Sequence, residues 1–416
     1  MMSLNPPIST VGCHRCRFVS TCAGIHGIDE LLGCGTIDHS LCHQNGWTCF
    51  CNPGLLARRY SEVGGFAVTP RTKLISPRED HLGIYVPMIY HCGSRREMLD
   101  VAWAAVPLYR VLARRKNGDY GPIAQNSHSL RRAFGLSEKT KIIVSGVGQD
   151  HDLETFWHYH QVSDAASLLM SLGVEAVTIP NFSFFTDYPP LHIQYNRTRM
   201  LRVAERFSAV GLGVIPHLNA VTAPEWELVA TLLRDQPQIT KVCKEFQTGL
   251  LCKQLGFEAV EDLVRLQDKV NRPIYPILFG GRRFLPFLSK HFKQFTIIDG
   301  TPFMRTYFRQ VLRTSEGSEV HWRPRRTRKG EPIGRRLSQA ISDYTARLQR
   351  RAYGNEQSEF PFAMGKPTCP QENPAAWELF AYTVRQSPDI AVDAFCQELE
   401  PSERSPSASA AVPLFK

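Results

Sequence analysis

Seven short β-branched runs, each followed by a longer stretch, recur in series from residue 83 onward, and this rhythm constrains the fold more than any other feature. The runs are GIYVPMIYH (83–91), KIIVSGVG (141–148), EAVTIP (175–180), LGVIPH (212–217), TKVCKEF (240–246), PIYPILF (273–279) and QFTIID (294–299). Amphipathic stretches fill the gaps: 96–115, 153–173, 199–211 and 224–235 read as helices. Pro224 and Glu225 suit the first turn of the last of these. β-then-α units in series predict parallel strands with right-handed crossovers, and seven or eight usually close into a TIM-like (β/α) barrel. The eighth strand is the unsettled part: it comes from FAVTPRTKLI (66–75), or the barrel is incomplete. An open doubly wound sheet is the runner-up, but no G-x-G-x-x-G follows the first strand.

The chain has 416 residues, of which 43% are hydrophobic and 21% charged, so a sizeable core is expected and global disorder is not. No run of 18 apolar residues appears, which argues against a membrane span. The first residues, MMSLNPPISTVGCHRC, carry no apolar signal core, so a reducing, cytoplasmic setting is expected. There, twelve cysteines point to metal rather than to disulfides. Seven of them, Cys13, Cys16, Cys22, Cys34, Cys42, Cys49 and Cys51, fall in the first 60 residues. Cys13-x-x-Cys16 and Cys49-x-Cys51 have chelating spacings, and four of the seven thiolates suit a structural zinc ion or an iron–sulfur cluster. Buried or free thiols are the alternative.

The net charge is +10, and the segment Arg305–Arg351 carries thirteen Lys and Arg against four acids, or +9 of it. Arginine matches phosphate in a bidentate way, so a polyanion is the natural partner. A solvated surface would show the same run. Four units follow: a Cys-rich metal-binding module (1–60), a barrel (61–312), a basic and helical extension (313–400) with two closing helices, and a flexible tail (401–416).

In a barrel, chemistry gathers at the C-terminal strand ends. Here those ends are polar. His91-Cys92-Gly93-Ser94-Arg95-Arg96 reads as a phosphate seat or a helix cap. Asp150 follows Gly146-Val147-Gly148-Gln149, where small residues admit a ligand close to the backbone, and Asp152 is left to cap the helix. Asn181, Phe182, Phe184 and Phe185 offer an amide beside stacking faces, as a base pocket requires, or else pack into core. His217, Asn219 and Gln247 end later strands, as do Glu245 and Asp299. Glu245 sits beside Lys244, and Asp299 precedes a turn that can use it as a local acceptor. Arg282 and Arg283 follow Gly280-Gly281. Arg197, Arg199 and Arg202 are unfavourably placed for the dipole of a helix that starts near them, so a bound anion or a solvated basic face explains them.

The block TIPNFSFFTDYPPLHIQYNRTRMLRVAERFSAVGLGVIPHLNA carries an Asn-Phe-Ser motif, an Asn-x-x-Arg helix and a Val-Ile-Pro strand. It resembles a barrel family of phages and mobile elements with the same three features, over roughly residues 140–300. It is also similar to the phage-defence DNA glycosylases of the Brig type, which remove glucosylated hydroxymethylcytosine from phage DNA. That resemblance implies a base-flipping hydrolase of N-glycosidic bonds, double-stranded phage DNA as partner, and a catalytic carboxylate ranked here Asp150, then Asp299, then Glu245. It implies Asn181, Phe182, Phe184, Phe185, His217, Asn219 and Gln247 at the base. Read from their own charge and placement, and for the Arg-rich segment from outside the matched block, Arg95, Arg96, Arg197, Arg199, Arg282, Arg283, Arg323, Arg325, Arg326 and Arg328 are the expected DNA contacts. A base-exchange transglycosylase on DNA or tRNA and a non-catalytic DNA-binding protein of a mobile element are the alternatives. The metal reading has its own check: substituting Cys13 and Cys16 by Ser should release zinc or iron and lower the melting temperature, and a wild-type chain with neither element would remove it.

Overall fold

The computed structural model describes residues 46–354, except 50–51, 79–80, 94, 115–118, 161–163, 186–187, 248–249, 251–252, 314–319 and 329. It is mixed α/β with parallel sheets. Eight parallel strands carry it: β1 Tyr85–Pro87, β2 Trp103–Pro107, β5 Lys141–Ser145, β6 Ala176–Thr178, β7 Gly213–Ile215, β8 Lys241–Glu245, β9 Tyr275–Phe279 and β10 Thr296–Asp299. One sheet has the order β1-β10-β9-β8 and the other β2-β5-β6-β7. Two parallel bridges join the sheets at both edges, Met88 to Ala105 and His217 to Cys243. Ile89 N donates to Ala105 O at 2.8 Å, and Leu218 N to Cys243 O at 2.8 Å. Neighbours therefore run from β1 round to β10, and β10 pairs with β1 in register Val86 to Ile298.

All seven expected strand runs form strands. The eighth does not come from 66–75, which has no strand, but from Trp103–Pro107 inside the stretch read as a helix. All five residues of β2 are buried, so period-2 alternation is hidden. Pro107 is what a continuous helix would not tolerate, and it ends the strand. A one-turn helix, α2 (Leu108–Val111), and an antiparallel hairpin, β3 (Leu112–Arg114) with β4 (Tyr120–Pro122), follow it.

Strand side chains alternate between two buried environments. Val86, Met88, Trp103, Ala105, Ile143, Ala176, Ile215, Cys243, Ile277, Phe279 and Ile298 form one apolar cluster. Intervening residues such as Val106, Ile142, Val144, Val177, Val214 and Val242 belong to a larger one shared with the helices. The helices over that face are α3 (Ser127–Phe134), α4 (Asp150–Tyr159), α5 (Ala165–Ser171), α6 (Pro190–Ala209), α7 (Ala223–Asp235), α8 (Lys253–Val270), α9 (Leu285–His291) and α10 (Thr301–Tyr307). As expected, Pro224 and Glu225 lie in the first turn of α7, where Glu225 Oε2 accepts from Val221 N at 2.8 Å and from Thr222 N at 3.1 Å.

Helices stand at both outer boundaries of the expected domains. Helix α1 (Pro53–Glu62) straddles residue 60, and its Glu62 accepts from the Trp157 indole and, at 3.1 Å, from the Tyr195 hydroxyl. Helix α11 (Gly334–Tyr353), expected in a separate basic extension, packs against α9 and α10. It buries Leu337, Ile341, Tyr344 and Leu348. Residues 355–416, including the two expected closing helices and the tail, lie outside the described residues. Among the described residues no helix is long and apolar enough to cross a membrane.

The tie between α11 and the strands is Tyr344, whose hydroxyl donates to Asp299 Oδ2. Burial, and then the Asp299 charge, push the Tyr344 hydroxyl well above its ordinary value. Tyr344→Phe leaves a buried carboxylate oxygen short of a donor, which costs about 1–3 kcal/mol. Urea unfolding should show that loss as a lower midpoint at unchanged slope; an unchanged midpoint would mean that the contact carries no stability.

Candidate functional site

The C-terminal ends of the eight strands bring most of the expected residues to one face. Asp150 is the first residue of α4 and is exposed, and Ser183 Oγ donates to its Oδ1 at 2.7 Å. Asp152 is not the helix cap: Gln149 holds that position, and Asp152 faces His151 at 3.2 Å. Gly146 admits no ligand either. A Cβ there would lie 2.5 Å from Thr178 O, so the space beside it belongs to the neighbouring strand's backbone.

The Asn-Phe-Ser loop after β6 is fastened on both sides. Asn219 Nδ2, from the loop after β7, donates to Asn181 Oδ1 at 2.6 Å and to Phe182 O at 3.2 Å. Asn196 Nδ2, on α6, donates to Ser183 O at 2.8 Å. Asn196 in turn accepts from Arg199 at 2.6 Å, and Arg199 forms a double hydrogen bond to Glu154 of α4 at 2.7 and 2.9 Å. Arg199 is only 2% exposed, and its guanidinium lies 3.8 Å from the Phe182 ring centroid and 4.6 Å from that of Tyr195.

These contacts correct two expectations. Arg199 is no DNA contact and Phe182 no stacking face for a base, since each buries the other. Helix α6 starts at Pro190, so Arg197 and Arg199 lie well inside it and the dipole argument for a bound anion lapses. Arg197 is likewise committed: it pairs with Glu225 at 2.7 Å, with both side chains largely buried, and lies over Phe184 at 5.4 Å. Arg202 is held by Glu205 and by Val63 O. The Asn-x-x-Arg signature is a brace for the loop whose Ser183 holds Asp150. Phe185 alone of the three phenylalanines is exposed, with Tyr188 edge-on at 5.0 Å.

Asp299 points away from this face. Its Oδ1 accepts from Thr301 N at 2.7 Å and from Thr301 Oγ1 at 2.6 Å, the local role expected of it, while Oδ2 is taken by Tyr344. Glu245 ends β8 half-buried, and its carboxylate accepts from Gln247 N. Lys244 turns outward to Leu218 O at 3.1 Å and to the Trp226 ring, and burial lowers its ammonium to about 8.

His217 is 5% exposed, and neither ring nitrogen has a hydrogen-bond partner among the described residues. Its ring stacks on Phe279 at 5.5 Å. Burial, reinforced by the Lys244 charge, lowers the imidazole to about 3, so it is neutral near pH 7. Each unsatisfied buried polar group costs about 1–3 kcal/mol, so the site is held at a cost in stability. His217, Asn219, Phe184 and Arg197 line one cavity of about 50 Å³.

The remaining arginines divide by exposure. Arg95 donates to His91 O and Phe134 O at the C-terminal end of α3, lies over Phe303, and is lowered to about 10 by burial. It is a helix cap in part. Arg96 and Arg283 are exposed, and half-buried Arg282 acts on the Tyr344 hydroxyl. Arg323, Arg325, Arg326 and Arg328 are all exposed, on or just after β12 (Trp322–Pro324), which pairs with β11 (Gln310–Leu312). Of the metal candidates, Cys49 is buried; Cys13, Cys16, Cys22, Cys34, Cys42 and Cys51 lie outside the described residues, as does Ser94. Among the described residues no group of three or more His, Cys, Asp or Glu could hold a metal ion.

No family model matches the chain, and no curated protein matches it.

The brace is testable against the DNA-contact reading of the same residue. Arg199→Met should lower stability by more than about 2 kcal/mol, through lost charged hydrogen bonds and ring contacts, and leave the salt slope of DNA binding unchanged. A stable variant with a flattened slope would restore Arg199 to the interface.

Proposed function

We propose that this chain is a DNA glycosylase on a TIM-like barrel, which excises a glucosylated hydroxymethylcytosine from phage DNA in antiviral defence. Eight parallel strands in a ring, bridged at both sheet edges, are the ring such a barrel requires. The observation that carries the functional reading is the gathering of an exposed carboxylate, Asp150, with Ser183, Asn181, Asn219, Glu245 and His217 at the C-terminal ends of those strands. Excision of a flipped base needs a carboxylate near C1′ to stabilise an oxocarbenium-like centre or to activate water. Asp150 serves that role here, held by the Ser183 hydroxyl. Asn181, Asn219 and Gln247 supply edge hydrogen bonds, and Phe185 with Tyr188 an exposed stacking surface. Arg96, Arg283 and the four arginines around β12 meet phosphate. The Cys-rich segment contributes a structural zinc or iron–sulfur site, and no step of the chemistry runs through it.

A base-exchange enzyme would use the same carboxylate as a nucleophile, and a DNA-binding protein of a mobile element would use only the arginines. Incubation with phage DNA carrying the glucosylated base, and with unmodified DNA, separates the three. Abasic sites in the modified DNA alone are expected. Incorporation of free base would favour exchange, and salt-sensitive binding with no product would leave binding only. Neutralising Arg323, Arg325, Arg326 and Arg328 together should weaken binding and reduce the salt slope by at most about 0.9 per lost phosphate contact.

A further inference from the structure

We infer that Tyr307 and Phe308, at the root of the basic hairpin, form a stacking platform for unpaired bases, so that this surface holds single-stranded DNA. Neither ring belongs to the excision site, and only the choice of DNA over RNA rests on the glycosylase reading.

The fold leaves both rings open to solvent. Tyr307 is 39% exposed and Phe308 44%. Exposed apolar side chains scattered singly are ordinary on a protein surface. Here two stand in succession, and their neighbours fix their orientation. Phe303, one turn earlier on α10, is buried, and its ring lies parallel to that of Tyr307, with centroids 6.4 Å apart and planes 6° apart. The His91 ring, from the loop after β1, meets Phe303 edge-on at 5.1 Å and Tyr307 at 5.2 Å. Phe308 stands edge-on to Tyr307 at 5.5 Å. A ring whose orientation is set in advance loses little freedom when a base stacks on it.

The backbone sets cations beside these rings. Phe308 ends α10, and Arg309, in the left-handed region at a φ of 59°, turns the chain from the helix into β11. Arg309 O accepts from Arg325 N at 2.8 Å, so Arg325 is bonded to the residue next to Phe308. On β12, Trp322 packs on the core, so Arg323, next in the strand alternation, faces away from it. Arg323, Arg325, Arg326 and Arg328 are all exposed.

Cations that follow the phosphates, together with flat rings that take the face of a base, are the two parts of a single-strand site. The arginines alone would serve a duplex equally well, because a duplex carries its phosphates on the outside. The rings decide between the two. In a duplex the bases stack on one another and offer no face along the strand, whereas an unpaired strand offers one at each nucleotide. Exposed rings alone would also fit a protein partner, and the arginines beside them turn the choice to a polyanion.

The test uses the full chain. A fluorescent oligodeoxythymidylate, its duplex with oligodeoxyadenylate and the matching oligouridylate are titrated with wild type and with Tyr307→Ala, Phe308→Ala and the double variant, and binding is read by anisotropy. Wild type should prefer the single DNA strand. Each ring lost should weaken that binding about tenfold and leave duplex binding and the salt slope unchanged, since the slope counts phosphate contacts and not stacking. Both side chains are exposed, so the variants should keep the wild-type melting temperature. Tyr307→Trp keeps a flat ring: its affinity should match wild type, and the indole it adds should be quenched by the oligodeoxythymidylate. Equal wild-type affinity for strand and duplex, preference for the RNA strand, wild-type binding by a folded double variant, or an unquenched indole in Tyr307→Trp would each overturn the inference. Single-strand preference carried by the two rings, with no abasic sites in modified DNA, would uphold this inference and remove the glycosylase reading. Abasic sites without single-strand preference would do the reverse.

Discussion

A single buried guanidinium organises the half of the molecule that carries the candidate chemistry. Arg199 is closed off from water by Phe182 and Tyr195, and a buried cation is costly unless it is paired and hydrogen-bonded. Glu154 meets two of them from α4 and Asn196 a third from its own helix. Because Asn196 also holds Ser183 O, and Ser183 holds Asp150, the position of an exposed carboxylate depends on a charge that never reaches the surface. The chain of contacts returns to its start: Asp150 and Glu154 lie on the same helix, one turn apart. Loop, α4 and α6 are therefore tied to one another, the kind of support that a positioned reacting group requires.

A second buried acid does the same for the other half. Asp299 spends one oxygen on the turn into α10 and the other on Tyr344, while Tyr85 O–H donates to the Asp299 carbonyl at 2.8 Å. This joins β1, β10 and α11 where the ring of strands returns to its beginning. The basic hairpin of β11 and β12 stands between α10 and α11 in the chain, and Arg309 anchors it by donating to Glu331 O. Its arginines are therefore presented by a fixed frame rather than carried on a loose appendage.

Much of this was legible in the residues. The seven strand runs could be read because parallel strands buried on both faces are apolar and β-branched almost without interruption. The place of Pro224 and Glu225 in the first turn of α7, and the local role of Asp299, followed from short-range helix-start and turn chemistry. The strand Trp103–Pro107 was missed because alanine and valine run on into Leu108 without a break in pattern; Pro107 was the available signal. The roles of Arg197, Arg199 and Phe182 were missed for a different reason. Basic and aromatic residues in one motif read alike whether they face DNA or each other, and only the partner's position, 45 residues away for Glu154, decides it. The orphaned nitrogens of His217 have no sequence signature at all, since burial without a partner is a property of the packing.

The strand-end site stands or falls on which carboxylate reacts. Single-turnover excision on modified DNA, measured for Asp150→Asn, Glu245→Gln and Asp299→Asn at matched DNA affinity, decides it. Loss of a positioned acid or base costs about 10²–10⁴-fold in rate. Asp150→Asn should fall by that much with binding intact, while Asp299→Asn, whose side chain faces α11, should lose stability in preference to rate. Near wild-type excision by Asp150→Asn, with the loss appearing in Asp299→Asn or Glu245→Gln, would contradict the assignment.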